Sequence, residues 1–143
     1  MRLPIISTGV VALLLLGCET GEIRRVGDEP REAIAQAALA KYPGASEDTN
    51  AYRLAAVDDP SRRELTLLNL TDNAVPAATI WVNGAFVRNL TGIPPRGSVE
   101  LRYSELLEAG SGTRDLRSIG QGVRKVELEI GDKLISVQGP SKK

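Results

Sequence analysis

The stretch Ala77–Leu90, "AATIWVNGAFVRNL", decides the fold class. Two β-rich runs flank an Asn-Gly pair. A type I′ turn needs positive φ at both central residues, and Asn-Gly meets that need at low steric cost, so this is the strongest short-range hairpin signal. A two-residue loop at Asn83-Gly84 predicts Val82 opposite Ala85, Trp81 opposite Phe86 and Ile80 opposite Val87. In that register one face carries Ile80, Val82 and Val87, and the other pairs Trp81 with Phe86. If the second face is covered, the two rings are core. If it is bare, they form an aromatic platform for a sugar or a partner protein.

The neighbouring segments repeat the β pattern. "AYRLAAVD" (51–58) is a first strand and "DDPSRR" a turn. "ELTLLNL" (64–70) has leucines on both faces, which predicts a central strand. "TGIPPRGS" (91–98) is a rigid turn, since its prolines lack backbone donors. "SVELRY" (98–103) alternates, with Val99, Leu101 and Tyr103 inward and Glu100 and Arg102 outward. "SELLEAG" predicts one helical turn, and Gly110–Gly122 is the longest irregular segment. A second hairpin, "VRKVELEIGDKLISVQ", turns at Gly131-Asp132, which predicts Leu128 opposite Ile135, Val126 opposite Val137, Glu127 opposite Ser136 and Glu129 opposite Leu134. One greasy and one mostly polar face fits a sheet packed on one side. "GPSKK" reads as a tail.

Upstream of the strands, "REAIAQAALAKYPG" (31–44) is rich in Ala, the best helix former. Asp28 caps this helix, Pro30 is tolerated near its start, and Pro43-Gly44 stops it. Ile34, Ala35, Ala38, Leu39 and Tyr42 form the face expected to pack on the β domain.

The chain begins with Arg2, then an uncharged run from Leu3 to Leu16 that is shorter than the ~20 apolar residues of a spanning helix. It has the length of a signal-peptide core. Leu15-Leu16-Gly17-Cys18 resembles the lipobox of bacterial lipoproteins. That resemblance implies cleavage between Gly17 and Cys18 and acylation of Cys18. Several acyl chains on one residue give stable anchoring where one is marginal. Glu19, rather than Asp, follows the cysteine, and in that family this favours the periplasmic face of the outer membrane over the inner membrane. "ETGEIRRVGD" (19–28) reads as a short polar tether.

The organisation expected is therefore a signal over 1–17, a lipidated tether over 18–29, a helix over 30–44, a β-sandwich over 50–139 and a tail over 140–143. The fold class is mainly β: a small antiparallel immunoglobulin-like β-sandwich preceded by one N-terminal α-helix. Residues 65–103 resemble immunoglobulin-like or fibronectin-type modules of bacterial envelope proteins in strand order, without an inter-sheet cysteine pair.

Composition narrows the function. The 143 residues carry 18 basic and 18 acidic side chains, no His and one Cys. Loss of Arg2 with the signal leaves 17 against 18. This balance offers no field for nucleic acid. Internal disulfides, Cys/His zinc sites and His-based catalysis are excluded. No catalytic motif, metal loop or cofactor fingerprint is present, and Asp58-Asp59 reads as the start of a turn. Both "NLT" runs, at Asn69 and Asn89, match glycosylation sequons by chance. The Gly110–Gly122 segment is the candidate binding loop, with Arg114 and Arg117 flanking Asp115 and able to meet an anion or glycan. These readings converge on a non-catalytic envelope lipoprotein held at the membrane by its lipid anchor and facing an envelope protein or glycan. One alternative is a small carboxylate-dependent hydrolase or sugar-active enzyme, which needs two inward acids about 5–10 Å apart. The other is an accessory subunit of an envelope assembly or secretion complex.

Overall fold

The computed structural model describes residues 24–25, 31–44, 46, 52–120 and 122–142. Gly17, Cys18 and the helix cap at Asp28 lie outside the described residues. The chain is mainly β, and the described residues form ten strands in two five-stranded sheets and one α-helix.

The first sheet has the order β1-β6-β3-β2-β10 and the second β7-β5-β4-β8-β9. In the first, β1 is Arg24–Arg25, β2 Leu54–Asp59, β3 Glu64–Asn69, β6 Ser98–Arg102 and β10 Gln138–Lys142. In the second, β4 is Ala78–Val82, β5 Phe86–Leu90, β7 Leu107–Glu108, β8 Val126–Ile130 and β9 Lys133–Ser136. The inner pairings are antiparallel, whereas the flanking strands β1 and β10 run parallel to β6 and β2. β3 is central, as its leucines predict: Leu65 and Leu67 are buried on one face while Leu68 is half-buried on the other.

One hydrophobic core draws on both sheets. Leu54, Ala56, Leu65, Leu67, Val99 and Leu101 of the first meet Ile80, Val82, Phe86, Leu90, Val126 and Leu128 of the second. A smaller core lies on the other face of the second sheet, where Ile34 and Ala38 of the helical segment pack on Trp81, Val87, Leu107 and Leu134. The second sheet is thus covered on both faces.

The first hairpin keeps the expected turn and loses the expected register. Asn83 and Gly84 have φ of 55° and 65°, and the Ala85 N–H donates to the Val82 carbonyl at 3.1 Å, as in a type I′ turn. Yet Val82 pairs with Phe86, Trp81 with Val87 and Ile80 with Arg88. Ala85 is one extra residue between turn and ladder, and a one-residue shift sends every later side chain to the other face. Phe86, Arg88 and Leu90 consequently face the shared core, and Val87 joins Trp81 on the helix side. The second hairpin has no such insertion. It pairs Glu127 with Ser136, Leu128 with Ile135 and Glu129 with Leu134, and the Val137 N–H donates to Val126, all in the expected register.

Other boundaries shift for visible reasons. The helix α1 spans Arg31–Ala37, shorter than expected. Its end tightens into three-residue bonds, Leu39 N–H to Gln36 and Ala40 N–H to Ala37, and the Ala38 carbonyl accepts from Gly110 N–H at 2.6 Å instead of continuing the helix. Leu39, expected on the packed face, is 65% exposed. "SELLEAG" holds part of a 3₁₀ turn, Tyr103–Glu105, and then the short strand β7. The expected tail forms most of β10, and the expected tether contains β1.

Candidate functional site

Asp115, Arg114 and Arg117 of the expected binding loop are already engaged with their own chain. Asp115 caps the 3₁₀ turn Leu116–Ser118 by accepting from the Arg117 N–H at 2.9 Å, and its carboxylate also takes the Arg117 guanidinium at 2.6 Å. That guanidinium holds the Asp115 carboxyl below its usual range. Arg114 makes a two-pronged pair with Glu108 through Nε, at 3.0 Å, and Nη2. Glu108 is lowered mainly by Arg114 and then by Ser111. Backbone bonds tie the loop down: Glu108 N–H to Arg114, Leu116 N–H to Leu106 and Gly112 N–H to Glu108. Leu116 anchors it in the core at 1% exposure.

Asn83 holds the far end of the same loop. Its Nδ2 donates to the Gly122 carbonyl at 3.0 Å, and its Oδ1 accepts from Arg124 N–H at 2.8 Å and Lys125 N–H at 3.1 Å. The hairpin turn that defines the fold therefore also fixes the loop exit.

A cavity of about 350 Å³ lies beside this loop. Pro60, Arg63, Tyr103, Leu116, Arg117 and Lys142 are among its lining residues. Arg63 and Lys142 are exposed, which gives the mouth a cationic rim together with the ion-paired Arg117. Behind it, the Tyr103 hydroxyl donates to Oδ1 of Asp58, which is wholly buried. The other Asp58 oxygen has no hydrogen-bond partner among the described residues. Burial, and then the Asp58 carboxyl, push the Tyr103 phenol above the ordinary tyrosine range. Asp58 is a strand residue here, and only Asp59 serves the turn, accepting from Ser61 Oγ at 2.6 Å and Arg62 N–H at 3.2 Å.

Trp81 and Phe86 do not form a shared platform. Trp81 is wholly buried on the helix side, and Phe86 is 3% exposed in the inter-sheet core. The face expected to be mostly polar is covered too, with Glu127 and Leu134 buried and Glu129 and Ser136 half-buried. Tyr42 crosses it: its ring meets Trp81 edge-on at 5.3 Å, and its hydroxyl donates to Glu127 Oε2 at 2.7 Å. Lys125 Nζ lies 2.7 Å from Glu127 Oε1, and Trp81 Nε1 donates to Glu129 Oε2 at 2.9 Å. Burial works to raise the Glu127 pKa, but the donors Lys125, Tyr42 and Ser46 outweigh it and hold the carboxyl below its ordinary value. We read this group as a polar clasp that closes the helical segment on the second sheet.

The two wholly buried acids among the described residues, Asp58 and Glu127, do not converge. Asp58 continues the Leu54–Ala56 face into the shared core, whereas Glu127 pairs across strands with Trp81 on the helix side. The second sheet lies between them. Among the described residues no group of three or more His, Cys, Asp or Glu side chains is placed to hold a metal ion. No described helix is long and apolar enough to cross a membrane.

Sequence reasoning missed Arg63, Lys142, Arg88 and the clasp. Arg63 has φ of 56° in a turn without glycine, which no local pattern announces. Arg88, 1% exposed between Phe86 and Leu90 and engaged there, follows only from the shifted register. Asn69 is likewise a structural residue, 1% exposed, with its amide donating to the Asn73 and Pro94 carbonyls at 2.8 and 3.1 Å.

No protein-family model, curated protein or solved structure matches this chain.

Proposed function

We propose that this protein is a lipid-anchored envelope protein, held by an acylated Cys18 and carrying a non-catalytic immunoglobulin-like β-sandwich that recognises or supports another envelope component. The observation that carries the non-catalytic reading is the separation of Asp58 and Glu127 on opposite sides of the second sheet. A carboxylate hydrolase needs two acids around one cleft. Each of these two acids is instead bonded to a tyrosine, Tyr103 or Tyr42, and the third buried acid among the described residues, Glu105, accepts from the Arg102 backbone N–H at 3.0 Å. The lipobox resemblance supports the anchor, and Glu19 after Cys18 supports the outer membrane.

Two sheets sharing one core support the sandwich reading, and the parallel outer strands β1 and β10 are variations at its edges. The cavity near the Gly110–Gly122 loop is the recognition surface of this reading. Its rim, Arg63 and Lys142 beside Arg117, suits an acidic group on an envelope protein or glycan. Crosslinking pull-down from membranes tests the function, comparing wild type, Cys18→Ala and the pair Arg63→Ala/Lys142→Ala. One partner captured by wild type and lost in both variants is the expected outcome. Capture unaffected by the rim variant removes the cavity from the account.

A further inference from the structure

We infer that the domain is held in one orientation on the membrane, with the turns Thr71–Asn73 and Pro94–Gly97 against the lipid surface and the cationic cavity facing away. This inference rests on the anchoring of Cys18 proposed above. Its own support is the placement of β1. Arg24 pairs with Val99 and Arg25 with Glu100, in parallel. β1 therefore begins at the Ser98 end of β6 and points toward the Arg102 end.

The Ser98 end can be traced across the sheet. Ser98 pairs with Leu68 at the close of β3, and Asn69 pairs with Leu54 at the start of β2. The turns Thr71–Asn73 and Pro94–Gly97 belong to it, joined by Arg96 N–H to the Thr71 carbonyl at 2.9 Å and by Arg96 Nε to Asp72 at 2.8 Å. The opposite end gathers Asp59, Glu64, Arg102 and Lys142. The cavity opens there, lined by Pro60, Arg63, Tyr103 and Lys142.

Covalent reach makes the assignment restrictive. Cys18 and Arg24 are six residues apart, so their Cα atoms are separated by at most about 22 Å. A tether that doubled back would use about 13 Å to come level with Tyr103, at about 3.3 Å per strand residue. About 9 Å would remain for the reversal itself and for clearing the Pro60–Arg63 turn and the 3₁₀ turn at Leu116. Leaving directly past Ser98 needs no reversal. The recognition cavity is thereby presented to the aqueous compartment.

The test uses the full acylated chain in vesicles of phosphatidylethanolamine and phosphatidylglycerol that carry a nitroxide on the lipid headgroup. Acylation leaves no free thiol, so a fluorophore can be placed singly through Asn73→Cys, Thr91→Cys, Ser61→Cys or Ser118→Cys. All four positions are partly or fully exposed. Quenching at positions 73 and 91 is expected to exceed that at 61 and 118 by at least about twofold, because the five residues of β6 separate the two ends by about 17 Å. A ten-residue Gly/Ser insertion after Glu22 lengthens the reach by about 35 Å and should erase the difference. Equal or reversed quenching in acylated protein overturns the orientation alone, as does an insertion without effect. A chain whose intact mass shows no acyl group overturns the orientation and the anchor together.

Discussion

Replacing Tyr42 with Phe removes one hydroxyl and tests whether the clasp holds the helical segment on the second sheet. That hydroxyl is 2.7 Å from Oε2 of a carboxylate with no exposed surface. Hydrogen bonds to charged groups contribute about 1.5–3 kcal/mol, and Lys125 remains on the other oxygen, so Glu127 keeps a partner. The expected loss is about 2 kcal/mol at pH 7, read from urea unfolding with an unchanged slope. In a Glu127→Gln background the same hydroxyl meets a neutral amide, and its removal should cost about 1 kcal/mol. The double-mutant cycle then returns about 1 kcal/mol of coupling. The pH dependence has a fixed sign. Glu127 is held below its ordinary value of about 4.5, so its stabilisation is complete above that value and is lost as pH falls through the lowered one. The cost of Tyr42→Phe should shrink over the same acidic range. A loss under about 0.5 kcal/mol at pH 7, or zero coupling, refutes the clasp.

Other perturbations test the remaining contacts. Tyr103→Phe strips the donor from buried Asp58 and should cost about 2–3 kcal/mol in the same unfolding assay, partly restored by Asp58→Asn. Asn83→Ala loses three hydrogen bonds and a residue suited to φ of 55°. It should cost about 2–3 kcal/mol and expose Gly110–Gly122 to limited proteolysis. Arg114→Ala and Arg117→Ala remove exposed ion pairs and should leave the unfolding midpoint nearly in place, because such pairs are screened by water and salt.

Local chemistry made some of this structure legible and left other parts hidden. Gly131-Asp132 and the alternation around it set the second hairpin completely, because nothing is inserted between turn and ladder. Asn83-Gly84 announced the first turn but not the bulge at Ala85, which decides whether Phe86 sits beside Trp81 or behind it. Glu127 and Glu129 looked like a solvated face. Their donors come from Tyr42, 85 residues away from Glu127, and from Trp81, on the neighbouring strand β4. Lys142 looked like a tail residue because parallel pairing with β2 depends on a partner strand far back in the chain. Arg114, Asp115 and Arg117 were found as charged loop residues. Their engagement with Glu108 and one another needed the fold of Leu107–Ser118.

The central claim is that Cys18 is the working protein's first residue and its anchor. Intact and peptide mass spectrometry of protein taken from native membranes measures this directly. The account predicts an N-terminal peptide beginning at Cys18 and carrying a diacylglyceryl group, with a further acyl chain on its amine where the host adds one. An unmodified Cys18, or a mature chain still beginning at Met1, contradicts it.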